Sequence, residues 1–287
     1  MEQSAFQRGY DEGLRNANEA LLQQFLPLDV LIPGVTPEEA MAAGVAALRG
    51  RGYPILFPPE VYEQIDQAIR HRLPYSFVRF GDGELLTLAQ EKVLSIHEVE
   101  RAGTFLSKAG VTVPDLEARD ELLHSLRAAS LIGVPMSRLP YFQPLLLQIL
   151  RTYDIDLGSL RLTTSTMNYS LDDQGYMMKL LEGRKILLVG NAALPLSEVL
   201  RARGVHIAGV ITPVRGFKDA ARVTREAAAV EFDLALVAAG VAAVSICTRL
   251  AALTGKAAID FGSLANRMAG VSSDTGFPHG TSIPTAR

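Results

Sequence analysis

The stretch DLALVAAGVAAVSICTRLAALTGKAAIDFG, residues 233–262, reads as strand, helix and strand in succession. Its first eight residues are an apolar run closed by Gly240, and its last seven, KAAIDFG, repeat that pattern after a helix running to Leu253. Residues 234–248 carry no charge, but they fall short of the ~20 residues a bilayer core requires, and Asp233 and Arg249 bracket them. A buried strand followed by a buried helix accounts for them better. The strands do not alternate polar with apolar, so both their faces are covered, which is the signature of a parallel sheet.

The pattern continues upstream. KILLVGN (185–191), a helix to about Arg203, HIAGVITP (206–213) and a helix from Phe217 to Ala229 alternate in the same way. The fold class is therefore α/β, a Rossmann-like, mostly parallel sheet with helices on both faces. Gly190, Gly240 and Gly262 each follow a strand, at the edge where open α/β sheets bind ligands, so Gly190 and Asn191 are candidate substrate contacts. The run VGNAA (189–193) lacks the later glycines of a dinucleotide fingerprint, and no GxxxxGK[ST] phosphate loop occurs. An NAD- or S-adenosylmethionine-dependent enzyme ranks last for that reason.

The densest chemistry lies at SFVRFGDGELLTL, residues 76–88. Phe77, Val78 and Phe80 make a β-prone run, Gly81-Asp82-Gly83 breaks it, and Leu85, Leu86 and Leu88 open a helix. In an extended backbone Asp82 and Glu84 project to one side, with Cα atoms roughly 6.5 to 7 Å apart. That spacing suits one shared divalent cation, Mg²⁺ or Mn²⁺, which takes its other oxygens from water and substrate phosphates. Arg79 would add a positive charge for those phosphates, while Gly81 and Gly83 allow close approach. The plainer reading is a tight turn with a dipole-matched first-turn glutamate.

Other candidates follow later strands. LIGVP (131–135) is a short strand, after which Arg138 is a possible phosphate or sugar contact. Leu160–Thr164 is another, leading into TTSTMNYSLDD, where Thr166 and Asn168 are the preferred sugar contacts of a hydroxyl- and amide-rich loop; capping and turn formation explain the same composition equally well. Helices are expected at 4–26, 37–49 (with a Thr36/Glu39 capping box), 58–71, 98–109, 115–129 and 141–153. The chain divides into an N-terminal helical extension (1–54), an α/β domain (55–269) and a Ser/Thr/Gly/Pro-rich tail (270–287) expected to be disordered.

With 48% hydrophobic and 21% charged residues, the chain is a globular protein with a sizeable core. A net charge of −3 without dense basic runs argues against nucleic acid as a partner. Cys247 is the only cysteine, which excludes an internal disulfide framework or Cys-rich zinc site. The polar N-terminus lacks the apolar core of a signal peptide, so a cytoplasmic location without a transmembrane segment is expected. The first helix is expected to pack on the core or on another subunit, making a homo-oligomer possible.

RFGDGE at 79–84, IGVP at 132–135 and the segment 236–264 together resemble the GT-D glycosyltransferases, a bacterial family with a Rossmann-like domain and an Asp-x-Glu metal motif. The resemblance spans roughly residues 55–265, and RFGDGE is its specific part. It implies a nucleotide-sugar donor, most often a UDP-hexose, whose diphosphate is held by a divalent cation on Asp82 and Glu84 with Arg79 near the nucleotide, and a glycan or protein acceptor. Where the family often has a histidine after Asp-Ile-Gly, this chain has Ser263 after Asp260-Phe261-Gly262, which puts activity in question. Asp260 is the expected general base, with Asp172 behind it. The competing class is a nucleotide-sugar-binding scaffold without turnover.

Overall fold

The computed structural model describes residues 5–271. Residues 272–287, most of the expected disordered tail, lie outside the described residues. Contacts within the chain divide it into a unit ending at Tyr53 and a second beginning at Pro54.

The first unit contains helices Ala5–Gln23 and Pro37–Leu48. Thr36 caps the second one: its Oγ1 accepts the Glu39 amide at 3.2 Å and Glu39 Oε2 accepts the Thr36 amide at 3.0 Å. Two otherwise orphaned donors at the helix start are thereby satisfied.

The second unit is built on seven strands: β1 (Tyr75–Arg79), β2 (Leu131–Val134), β3 (Leu162–Thr164), β4 (Lys185–Gly190), β5 (His206–Ile211), β6 (Leu234–Ala238) and β7 (Ala257–Asp260). They lie in the order β3-β2-β1-β7-β6-β4-β5, and every pairing is parallel. Because β4, β6 and β7 are apolar but for Lys185 and Asp260 at their ends, both sheet faces carry a core. One includes Leu85, Leu122, Leu146 and Val244; the other includes Ile65, Leu171, Leu196 and Leu264. Cys247 is buried on the helix Ala242–Thr254. Among the described residues no helix is long and apolar enough to cross a membrane.

Two segments differ from expectation. The helix expected at 98–109 covers only Ile96–Ala102. Beyond it the backbone is drawn onto the loops after β5 and β6, where the Phe217 amide donates to the Gly110 carbonyl at 2.8 Å and the Val241 amide to that of Ala109 at 3.2 Å. The helix itself stops at Gly103, its C-cap, whose amide donates to the Val99 carbonyl. The polar run after β3 is also less of a loop than expected, since Met167–Asp173 is helical with Met167, Asn168 and Leu171 buried.

The layering creates a crevice. The helix after β1, Asp82–Ala89, packs into the core of one face, whereas the helix after β7, Leu264–Ala269, packs into the core of the other. Since β1 and β7 are neighbours, the chain parts to opposite faces between their carboxyl ends. This is the switch-point geometry at which open α/β sheets hold ligands.

Candidate active site at the β1–β7 switch point

Arg79, the last residue of β1, is the hub of the crevice. Its Nε donates to the Asp260 carbonyl at 3.1 Å and its Nη2 to Asp260 Oδ1 at 2.9 Å. Its Nη1 donates to the Ser165 carbonyl at 3.2 Å and to Asn168 Oδ1 at 3.5 Å. Asn168, fully buried, donates in turn to the Phe261 carbonyl at 3.0 Å. One guanidinium therefore ties together the ends of β1 and β7 and the loop after β3. Gly262 makes this possible: its φ is +54°, and a Cβ there would lie 1.8 Å from Arg79 Nη2.

The acidic motif is built differently from the sequence expectation. Asp82 and Glu84 do not lie on extended backbone; both occupy the first turn of the helix Asp82–Ala89, where a two-residue step turns through about 200°. Gly81 supplies the extended residue instead, and its carbonyl already accepts the Leu85 amide. Glu84 curls back so that Oε2 accepts the Gly81 amide at 2.9 Å, while Asp82 Oδ1 accepts that of Gly83 at 3.0 Å. Each carboxylate is thus folded onto a backbone amide at the helix start rather than projecting from a shared strand face.

Charge in the crevice is unbalanced. Against the cation of Arg79 stand Asp260, Glu84 and Asp82. Burial pushes the Glu84 carboxyl up to about 7, reinforced by the negative charge of Asp260 and only partly opposed by Arg79 and nearby amides. Burial also raises Asp82 against the Gly83 amide, and raises Asp260 despite its bonds to Arg79.

A cation bound beside these carboxyls would favour their ionised forms over the protonated ones that burial favours. Glu84 and Asp82 each have one oxygen turned to an amide, and a Mg²⁺- or Mn²⁺-type ion held by one or two carboxylates plus phosphates fits that donor set. Among the described residues no group of three or more His, Cys, Asp or Glu side chains is gathered for a metal, so any protein ligation here rests on this pair.

The raised Glu84 pKa has a consequence for stability. A carboxyl whose folded pKa lies above its unfolded value favours the fold most below the unfolded pKa, near 4.3, and loses that contribution as pH rises through about 7. Glu84→Gln keeps an acceptor for the Gly81 amide but cannot ionise. It is expected to melt with the wild type at pH 4 and above it at pH 8, by about 2 to 3 kcal/mol or roughly 5 °C. Melting curves of equal offset at both pH values would refute this.

Several expected contacts take other roles. Asp260 is 2% exposed and paired with Arg79, so in this structure it positions the guanidinium. The donors of Arg79 are correspondingly turned inward, away from a phosphate role. Asp172 is paired with Arg267 at 2.6 Å. Gly190 and Asn191 lie three strands from β1, about 14 Å away at the usual strand spacing. Asn191 bonds both the amide and carbonyl of Val214, and a Cβ on Gly190 would meet the Ala238 carbonyl at 2.1 Å, so both serve packing. Arg138 and Thr166 are exposed on the loops after β2 and β3, at the crevice edge.

At the rim, Tyr169, Arg267 and Asp173, none of them visible as candidates in the sequence, join Ser263 and Asp172. The hydroxyls of Tyr169 and Ser263 share a hydrogen bond, and Arg267 lies over the Tyr169 ring at 4.8 Å while pairing with Asp172 and Asp173. These partners stand some 94 residues apart, with no local spacing to link them.

A family model described as a GT-D fold-like domain matches residues 56–268. The chain belongs to the GT-D-like family. Solved structures agree on the fold. One is titled "The highly conserved domain of unknown function 1792 has a distinct glycosyltransferase fold"; it is 16% identical, with 82% of this chain and 88% of that one covered and a TM-score of 0.52. Another, a new glycosyltransferase from Streptococcus sanguinis, is also 16% identical, with coverages of 81% and 91% and a TM-score of 0.50. No curated protein matches. The resemblance carried by RFGDGE is thus borne out as to family and fold.

Proposed function

We propose that this chain is a glycosyltransferase that moves a hexose from a nucleotide-sugar donor, a UDP-sugar, to a glycan or protein acceptor with the help of a divalent cation. The observation that carries this reading is the placement of Asp82 and Glu84 in the first turn of the helix after β1, at the β1–β7 switch point of a GT-D-like domain. Asp82 and Glu84 would hold the cation. When bound, it would neutralise the charge that develops on the leaving nucleoside diphosphate.

The chain's own residues do the rest. The Arg79–Asp260 pair ties the end of β1 to the end of β7, and the helix that carries both carboxylates begins at Asp82 just beyond β1. Asn168 holds the loop after β3 against the same hub. Thr166, Ser263 and Tyr169 offer hydroxyls at the rim for a sugar.

The test is thermal stability of the full chain with a panel of UDP-sugars, each with Mn²⁺ and with chelator, followed by assay of free UDP. At a hundredfold excess over Kd, a donor adds about 2.7 kcal/mol. A shift that needs the cation and vanishes in Asp82→Ala/Glu84→Ala supports the donor site. Binding without release of UDP would assign the chain to a non-catalytic binding module. No shift with any nucleotide-sugar would overturn the reading.

A further inference from the structure

We propose that the N-terminal unit is a self-association surface pairing two copies of this chain. No residue of its two helices is buried. At 100° per residue, Phe6, Tyr10, Leu14, Ala17 and Leu21 fall within an arc of about 80° on the first helix, and Arg8, Glu12, Arg15 and Glu19 occupy the opposite side. Phe6, Tyr10, Leu14 and Leu21 are all exposed, Phe6 at 81%, and Phe25 continues the stripe at 78%. On the second helix Met41, Val45 and Leu48 form another exposed stripe, beside a shallow groove lined by Met41, Ala42, Val45, Ala46 and Arg49.

Area and charge select the occupant. The eight exposed side chains of these stripes present roughly 900 Å² per chain, against the ~800 Å² that each partner contributes to a stable interface. An isolated surface apolar residue needs no explanation, but two contiguous stripes on one small unit do. A membrane surface fits poorly: residues 5–53 hold six carboxylates, four arginines and no lysine, whereas interfacial helices carry a basic rim for anionic lipid. The stripes contain no charge with which to choose a charged protein partner. A second copy related by a two-fold axis buries like against like, which is the commonest arrangement among soluble oligomers.

The experiment is light scattering of the full chain across micromolar concentrations. Wild type is expected at twice the 31.0 kDa chain mass. Leu14→Glu, which places a charge in the stripe, is expected to raise the dimer dissociation constant at least tenfold, while Arg15→Glu on the opposite side leaves it unchanged. Circular dichroism of both variants should match the wild type, because neither side chain is buried. A monomeric wild type overturns the proposal, as does a dimer indifferent to Leu14→Glu. Co-sedimentation of a monomeric wild type with phosphatidylglycerol vesicles would assign the stripe to a lipid surface instead.

Discussion

Asp260→Ala is expected to cost about 3 to 5 kcal/mol of stability, because it strands the Arg79 guanidinium in the protein interior without its counter-charge. For a unit of this size that is a fall in Tm of roughly 10 °C. Asp260→Asn keeps an oxygen facing Arg79 Nη2 and should cost less. The double variant Arg79→Met/Asp260→Leu removes both charges and fills the space with apolar side chains, so it should recover part of the loss, the Ser165 and Asp260 carbonyls being left without their donor. Urea unfolding with an unchanged m-value would measure all three. An Asp260→Ala protein within 1 kcal/mol of wild type would mean that Glu84, which also faces Arg79, takes over as its partner. The same series separates positioning from base catalysis. A base replaced by asparagine loses turnover while the protein still melts normally, whereas here activity and the order of Arg79 should fall together.

The strands and most helices were legible in the sequence because each is a local event. KILLVG, LALVA and AAID are apolar on both faces apart from Lys185 and Asp260 at their ends, and a parallel sheet was the consistent way to cover them. The turn at Gly81 and a first-turn place for Glu84 were equally visible, but the helix begins two residues earlier than Glu84, so that Asp82 lies on it too. The pairing of Arg79 with Asp260 was hidden altogether. It spans 181 residues and depends on β7 returning to lie beside β1, which no periodicity encodes. Each residue was picked out separately, Arg79 for phosphate and Asp260 for a proton, and only topology shows that they bind each other. Gly190 and Gly262 looked alike as strand-end glycines. Their neighbours differ: the first is pressed against a strand carbonyl and the second against the guanidinium at the centre of the site.

Gly262→Ala should therefore act through Arg79 as much as through its own backbone. A φ of +54° costs alanine about 1 to 2 kcal/mol, and the new methyl would overlap Nη2, driving the guanidinium away from Asp260. Arg79 cannot yield freely, since its other nitrogens are held by the carbonyls of Ser165 and Asp260. The combined cost in the wild-type background should be about 4 kcal/mol. In the Arg79→Met/Asp260→Leu background no ion pair remains to be broken, and the methionine end can move aside, so only the backbone cost of about 1 to 2 kcal/mol should survive. The difference, a coupling of 2 kcal/mol or more, measures how far Gly262 is required by the hub rather than by the turn. Equal costs in the two backgrounds would show that the strain belongs to the backbone alone and that Arg79 rearranges without penalty, leaving the crevice free to vary at this glycine.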